Sequence, residues 1–265
     1  MYAFDYIRPA TIAEARRALS ENAEAQLLAG GQTLLPVMKM RLASPAAVVD
    51  LGGVGELRGV TREGDKLVIG AMTTHAEVAE AGVVRSAIPA LAALAESIGD
   101  PQVRNRGTIG GSIANDDPAA DYPAGLLALG ATIVTTNRSI PVDDFFQGMF
   151  TTALEPGEII TAVECPVPDN FAYEKFAHPA SRYALVGVAV ARQSGVVRVA
   201  VTGAGESGVY RWTEAETALA ANFDAGALDG LAVDEGSLLS DMHADATYRA
   251  NLVKVMAKRA AAMVQ

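Results

Sequence analysis

The sequence predicts an α+β fold in three successive pieces: two lobes, then a smaller α+β domain of antiparallel strands and helices. Three observations carry this expectation. Two glycine-rich loops, Leu28-Ala29-Gly30-Gly31-Gln32-Thr33-Leu34-Leu35 and Gly107-Thr108-Ile109-Gly110-Gly111-Ser112, lie far apart in sequence, and each adjoins apolar segments of helical or strand character. A proline pair, Pro166 and Pro168, interrupts the pattern. From Phe171 onward, strand-like runs separated by turn residues such as Ser194-Gly195 replace the earlier mixture. The boundaries that follow are residues 1–56, 57–168 and 169–265.

Thr11-Ile12-Ala13-Glu14 reads as a capping box, and Ala15, Ala18 and Leu19 continue an apolar stripe, so a helix is expected to about Asn22. Residues 25–29 form a short buried strand that delivers the first glycine loop. A short helix is expected from Val37 to Arg41 and a strand over 47–51, with Gly52, Gly53 and Gly55 closing the first lobe. The second lobe opens with a hairpin, residues 57–60 and 66–69 across Arg62-Glu63-Gly64-Asp65. Thr74-His75-Ala76-Glu77 is a second capping box, which makes His75 a first-turn helix residue.

Ile88, Leu91, Leu94, Ala95 and Ile98 are spaced three and four apart, the signature of a helix leading into the second glycine loop. Beyond it, residues 124–129 read as a packed helix and 131–135 as a strand. Phe145, Phe146 and Phe150 are expected to plug the core from a loop, and residues 158–163 form the last strand of this lobe. The third piece should pair 172–176, 185–193 and 196–203, with Gly187, Ala189 and Ala191 marking a strand against which something packs closely. Thr213-Glu214-Ala215-Glu216 should cap a helix behind Trp212. Asp245 or Thr247 should cap a long one through Ala261, burying Tyr248, Leu252, Val255, Met256 and Met263.

Composition limits the chemistry. A net charge of −10 argues against nucleic acid, whose phosphates are held chiefly by surplus lysine and arginine. Phosphate on a small molecule is still bindable, because backbone amides in a nest need no cation. Cys165 is the single cysteine, so no disulfide forms within the chain and no iron–sulfur cluster is carried by it alone. His75, His178 and His243 are far apart without carboxylates or thiols at metal-ligand spacing, so no metal site is expected. No apolar run reaches the ~20 residues of a membrane helix. The start lacks the basic residues and apolar stretch of a signal peptide, and the expected location is the cytoplasm.

The glycine loops suggest a ligand site. Three glycines in the five residues 107–111 let the backbone take positive φ and admit another molecule to contact distance. With Thr108 and Ser112 they would form a row of donors, and two such loops suggest two walls of one diphosphate site. Neither spells the dinucleotide fingerprint Gly-x-Gly-x-x-Gly.

Taken together, residues 29–36, Asn105-Arg106-Gly107-Thr108-Ile109-Gly110-Gly111-Ser112, Asp116-Asp117-Pro118-Ala119-Ala120-Asp121 and Tyr173-Glu174-Lys175-Phe176 resemble the FAD-binding subunit of the molybdenum hydroxylases. The resemblance runs nearly end to end, through Asp241-Met242-His243, Tyr248-Arg249 and Lys258-Arg259-Ala260. It implies a two-lobed, vanillyl-alcohol-oxidase-like FAD domain, with FAD between the lobes, followed by the smaller α+β domain. By position, Leu28, Ala29, Gly30, Gly31, Gln32, Thr33, Leu34 and Leu35 would wrap the diphosphate and ribityl chain. Thr108, Ile109, Gly110, Gly111 and Ser112 would hold the diphosphate from the other side, with Asn115 and Asp117 nearby. Asp121 would accept from ribose or ribityl hydroxyls, Ile98 and Ile160 would pack on rings, Lys175 would reach a polar flavin edge and Tyr183 would cover an isoalloxazine face. None of these is a catalytic acid, base or nucleophile.

The resemblance further implies an oxidoreductase whose FAD passes electrons from partner subunits to an external acceptor. Molybdopterin cytosine dinucleotide would lie on a large subunit and [2Fe-2S] clusters on a small iron–sulfur subunit, in a dimer of heterotrimers. Where relatives often have His-Ala-Asp-Pro, this chain has Asn115-Asp116-Asp117-Pro118, an extra carboxylate expected to disfavour the anionic reduced flavin. Two alternatives stand beside this reading. One is a self-contained FAD oxidase, with His75 as a covalent attachment point. The other is a non-catalytic nucleotide-binding subunit.

Overall fold

The computed structural model describes residues 1–264. The chain opens with a three-stranded parallel sheet in which Ala47–Asp50 lies between Asp5–Ile7 and Ala25–Leu28. A parallel strand is covered on both faces, and Ala47, Val48 and Val49 are accordingly buried without alternation. The connecting helix, Ile12–Glu21, is capped by Thr11, whose hydroxyl accepts from the Glu14 amide at 3.2 Å. Glu14 reaches back to the amide of Ala10, not to that of Thr11, so only half of the expected box forms. Ala15 and Ala18 enter one buried cluster with Val49, Leu51 and Met72.

The next helix begins earlier than its apolar pattern suggests, running Leu34–Lys39. Pro36 is tolerated inside it because a first-turn amide has no helical acceptor to lose. The glycine loop therefore leads directly into helical backbone.

The second lobe is a five-stranded antiparallel sheet in the order Val60–Glu63, Lys66–Gly70, Ile160–Pro166, Thr132–Thr135, Ser139–Pro141. Its first hairpin is present, but the strand starts at Val60. Leu57 instead ends a 3-10 turn and buries its side chain in the first cluster. The Thr74 box forms fully, and the helix expected over 88–98 is Pro89–Glu96, preceded by Gly82–Ala87. Of the three phenylalanines, Phe145 is buried and Phe146 half-buried. Phe150 is 59% exposed at φ +55°, because it sits at the tip of the small hairpin joining Phe146–Gly148 to Thr151–Thr152 and does not plug the core.

The remaining chain is an antiparallel meander of Asn170–Ala177, Ala184–Gln193, Val196–Thr202 and Tyr210–Arg211. Its two faces divide by residue size. Ala189, Ala191 and Ala200 join the core of the second lobe, and the helix Asp121–Leu129, buried at all nine positions, packs against these strands. Val186, Val188, Val190, Val199 and Val201 face the other way, into a core shared with the terminal helix Ala246–Met263. The small-residue strand thus does receive a close neighbour. A side chain on Gly187 would stand 2.3 Å from the Tyr173 hydroxyl.

Two expectations fail here. Thr213 is the first residue of the helix Thr213–Ala221 and caps nothing, because Glu216 turns inward to accept from the Val199 amide and Arg211. Asp245 does cap the terminal helix, but Tyr248 and Met263 are exposed. Its buried side runs through Leu252, Val253, Met256, Ala257, Ala260 and Ala261. Among the described residues no helix is long and apolar enough to cross a membrane, and no group of three or more His, Cys, Asp or Glu could hold a metal ion.

Candidate functional site

A cleft of about 760 Å³ opens where the two glycine segments meet, within the size range of cofactor pockets. The glycines bring the segments together in an unexpected way. A Cβ on Gly30 would stand 2.1 Å from the Arg106 carbonyl oxygen and 2.7 Å from the Gly107 Cα, so the two main chains touch there. A Cβ on Gly111 would meet the Thr108 hydroxyl at 2.9 Å and the Ala29 side chain at 3.1 Å. Gly107 lies flat against His75, and Gly110 against Ala71. Of these five glycines only Gly31 has positive φ, at +73°. Close approach of protein to protein, not left-handed backbone, is what the other four permit.

The second segment is helical from Ile109 to Asn115, with Thr108 as its cap. Its first amides are already engaged. Ile109 donates to the Thr73 carbonyl, Gly110 to that of Ala71, Gly111 to the Thr108 hydroxyl and Ser112 to the Thr108 carbonyl. The expected row of free donors on this wall is absent. The first segment differs: among the described residues, the amides of Gly31, Gln32, Thr33, Leu34 and Leu35 meet no protein acceptor. An anion facing them would find several N–H groups converging from one side.

Sixteen of the anticipated residues line the cleft: Ala29, Gly30, Gly31, Gln32, Thr33, Leu34, Ile98, Thr108, Gly110, Gly111, Ser112, Asn115, Asp117, Asp121, Ile160 and Tyr183. Leu28 and Leu35 stand behind the wall, packed where a side chain on Gly31 would go. Ile109 is wholly buried in the core. Lys175 points at Asp121, 2.9 Å away, and also donates to the carbonyls of Ser97 and Arg182, both at 3.0 Å, which occupies all its donors.

Asp121 is 4% exposed, and one of its oxygens accepts from both Tyr173, at 2.6 Å, and Lys175. Burial raises its carboxyl, against the opposing pull of Lys175 and Tyr173. Asp117 spends one oxygen on the Ala119 amide, at 2.9 Å. Asp116 does not line the cleft. It closes the helix at φ +45°, is 2% exposed, and burial together with Asp117 pushes its carboxyl up to about 7.

Several wall residues lie outside the set expected to hold FAD noncovalently. His75 lines the cleft at 5% exposure with Nδ1 unpartnered, and burial lowers its imidazole to about 4, so it is neutral. Met72, Val103, Leu154 and Ile159 add apolar surface, and Arg182 joins from the hairpin tip that carries Tyr183. These residues lie in four separate stretches that no single motif joins, so only the fold collects them. Glu158 also lines the wall. Burial would raise its carboxyl, but donors on Arg138 and Thr135 and the Glu155 amide hold it down at about 2.

The donor set fits FAD: unpaired amides for an anionic centre, carboxylates on Asp117 and Asp121 for hydroxyls, and apolar side chains of Ile98, Ile159 and Ile160 for ring systems. Comparison with known proteins agrees. Residues 2–168 match the family described as "FAD binding domain in molybdopterin dehydrogenase". The chain is 38% identical to the nicotine 6-hydroxylase medium subunit of Paenarthrobacter nicotinovorans and 37% identical to the carbon monoxide dehydrogenase medium chain of Afipia carboxidovorans. Each alignment covers 97% of this chain and 95% of the relative. Among solved structures, reconstituted CO dehydrogenase from Oligotropha carboxidovorans superposes with a TM-score of 0.91 at 37% identity, covering 99% of this chain and 98% of that one. Quinoline 2-oxidoreductase from Pseudomonas putida 86 gives 0.88 at 31% identity, covering 99% and 97%. The chain therefore belongs to the FAD-binding medium subunits of the molybdopterin-dependent dehydrogenases, which are oxidoreductases.

Proposed function

We propose that this chain is the electron exit of a multi-subunit dehydrogenase. Electrons would come from molybdopterin cytosine dinucleotide on a large partner subunit through [2Fe-2S] clusters on a small one, and leave to an external acceptor. The assembly would be a cytoplasmic dimer of heterotrimers. The observation that carries the reading is the pairing of one dinucleotide-sized cleft with a sequence holding a single, buried cysteine. Such a chain can seat a flavin but supplies too few thiolates to relay electrons to it through clusters of its own.

FAD, when bound, accepts two electrons together and can release them singly. The chain's own residues bind and orient. The amides of residues 31–35 face the diphosphate, and the Thr108 to Ser112 turn forms the opposing wall by shape. Asp117 and Asp121 accept from sugar or ribityl hydroxyls, with Asn115 beside them. Ile98 and Ile160 exclude water from the rings, and Tyr183, 47% exposed at the rim, covers a face. Lys175 acts through Asp121 and Arg182, keeping a buried carboxylate partnered; breaking such a pair costs about 3–5 kcal/mol.

Isolation of the native complex through a tag on this chain tests the proposal. Flavin, molybdenum and iron should copurify, and acid denaturation should release the yellow colour from the polypeptide. A chain that emerges with flavin but no iron, or one that keeps its colour after denaturation, would overturn it.

A further inference from the structure

The matched family region ends at residue 168, yet the wall that carries Asp117 and Asp121 is held from beyond it. Every carbonyl from Pro118 to Ala120 is taken by the C-terminal meander. Gly203 donates its amide to Pro118 at 2.7 Å, and Ala184 donates to Ala119 at 3.3 Å. The Thr202 hydroxyl lies 2.9 Å from the Pro118 oxygen and 2.7 Å from that of Ala120.

A hydroxyl has one proton to give. Pro118 is already served by Gly203 at 2.7 Å, and the Thr202 hydroxyl lies closer to the Ala120 oxygen, at 2.7 Å against 2.9 Å, so the proton goes to Ala120. Ala120 is the residue before the helix Asp121–Leu129. Thr202, wholly buried, thus fixes where that helix starts and how its first residue, Asp121, faces the cleft. Behind it, Arg249 grips the Gly203 and Leu185 carbonyls at 2.6 and 2.7 Å and pairs with Asp241 at 2.7 Å. Gly203 must be glycine: φ is +80°, and a Cβ would stand 2.4 Å from the Ala184 carbonyl oxygen.

We infer that Thr202 is a positioning residue for the cofactor: it orients the Asp117 to Asp121 turn, so that the C-terminal meander is part of the FAD site. The inference rests on reading the cleft as that site. The test uses the full chain stripped of flavin and titrated with FAD, comparing wild type, Thr202→Val and Thr202→Ser for affinity and flavin midpoint potential. Thr202→Val matches the native shape without the proton. It should bind FAD roughly tenfold more weakly, the effect of one unmade buried hydrogen bond, and shift the potential. Thr202→Ser should restore both.

Wild-type affinity and potential in Thr202→Val would overturn the inference. A second measurement on the wild type stands even where that variant does not fold. Hydrogen exchange at the Ala184 and Gly203 amides should slow on adding FAD, and unchanged exchange there would equally overturn it. A wild-type chain that takes up no FAD would instead overturn the cleft assignment beneath it.

Discussion

The two glycine segments look alike as sequence and do different work as structure. Residues 31–35 leave a run of amides without a protein acceptor among the described residues, whereas every amide from Ile109 to Ser112 is already bonded within the protein. One segment is a cradle; the other is the scaffold that presses the cradle into shape. The lesson is that a Gly-Gly pair marks close approach without saying what approaches. At Gly31 the demand is conformational, and at Gly30, Gly107, Gly110 and Gly111 it is a neighbouring part of the same chain.

The largest expected effect comes from separating the two segments. In Gly30→Val the added Cβ collides with the Arg106 and Gly107 main chain, which cannot swing away as a side chain would. Flavin absorbance per chain should fall to near zero and the melting temperature should drop. Gly31→Ala is the comparator. It strains a positive φ, but its nearest neighbour is the flexible tip of Leu35, so it should cost less, about 1–2 kcal/mol. A Gly30→Val chain with normal flavin content would break the claim that main-chain contact shapes the cradle.

A second effect appears at the far end of the scaffold helix, at Asp116. Its carboxyl titrates near 7 in the folded chain, above its ordinary value of 3.8. The folded form therefore holds the proton more tightly. That contribution is fully present below about pH 4, is lost as pH rises toward 7, and is absent above 7. Asp116→Asn should match wild type in thermal unfolding near pH 4 and exceed it at pH 8, by at most about 4 kcal/mol. FAD affinity should not follow this titration. If it does, the helix is more than a scaffold.

The smallest effect belongs to Thr108→Val, which removes the cap on the Gly111 amide. It should cost about 1 kcal/mol of stability. Affinity for FAD, measured by fluorescence titration, should change by no more than about threefold. A much larger loss would mean that Thr108 touches the cofactor directly and that the segments are more alike than their hydrogen bonds indicate.

Much of this was legible beforehand, for reasons that particular residues make plain. Thr11, Thr74 and Asp245 announce helix starts because a side-chain oxygen three residues before a first-turn amide has little else to do. Gly187, Ala189 and Ala191 announced a close neighbour, since small residues on one face leave space that another element fills. What escaped depended on partners distant in sequence. Glu216 had the spacing of a capping residue, but Arg211 and the Val199 amide claimed it. Phe150 had the composition of a core plug and sits on a hairpin tip. His75 had a local explanation as a helix-start residue, and only the fold shows that its ring also lies on the cleft wall. The free and engaged amides of the two loops could not be told apart at all, because backbone bonding leaves no trace in residue identity.

The helix Asp121–Leu129 sits in one core that the five-stranded sheet and the small-residue face of the meander share. Clipping the connection near residue 168 would therefore not release a self-sufficient flavin carrier. Either fragment would expose a greasy seam, and exchange of this tail between relatives would succeed only where the donor brings a matching alanine face.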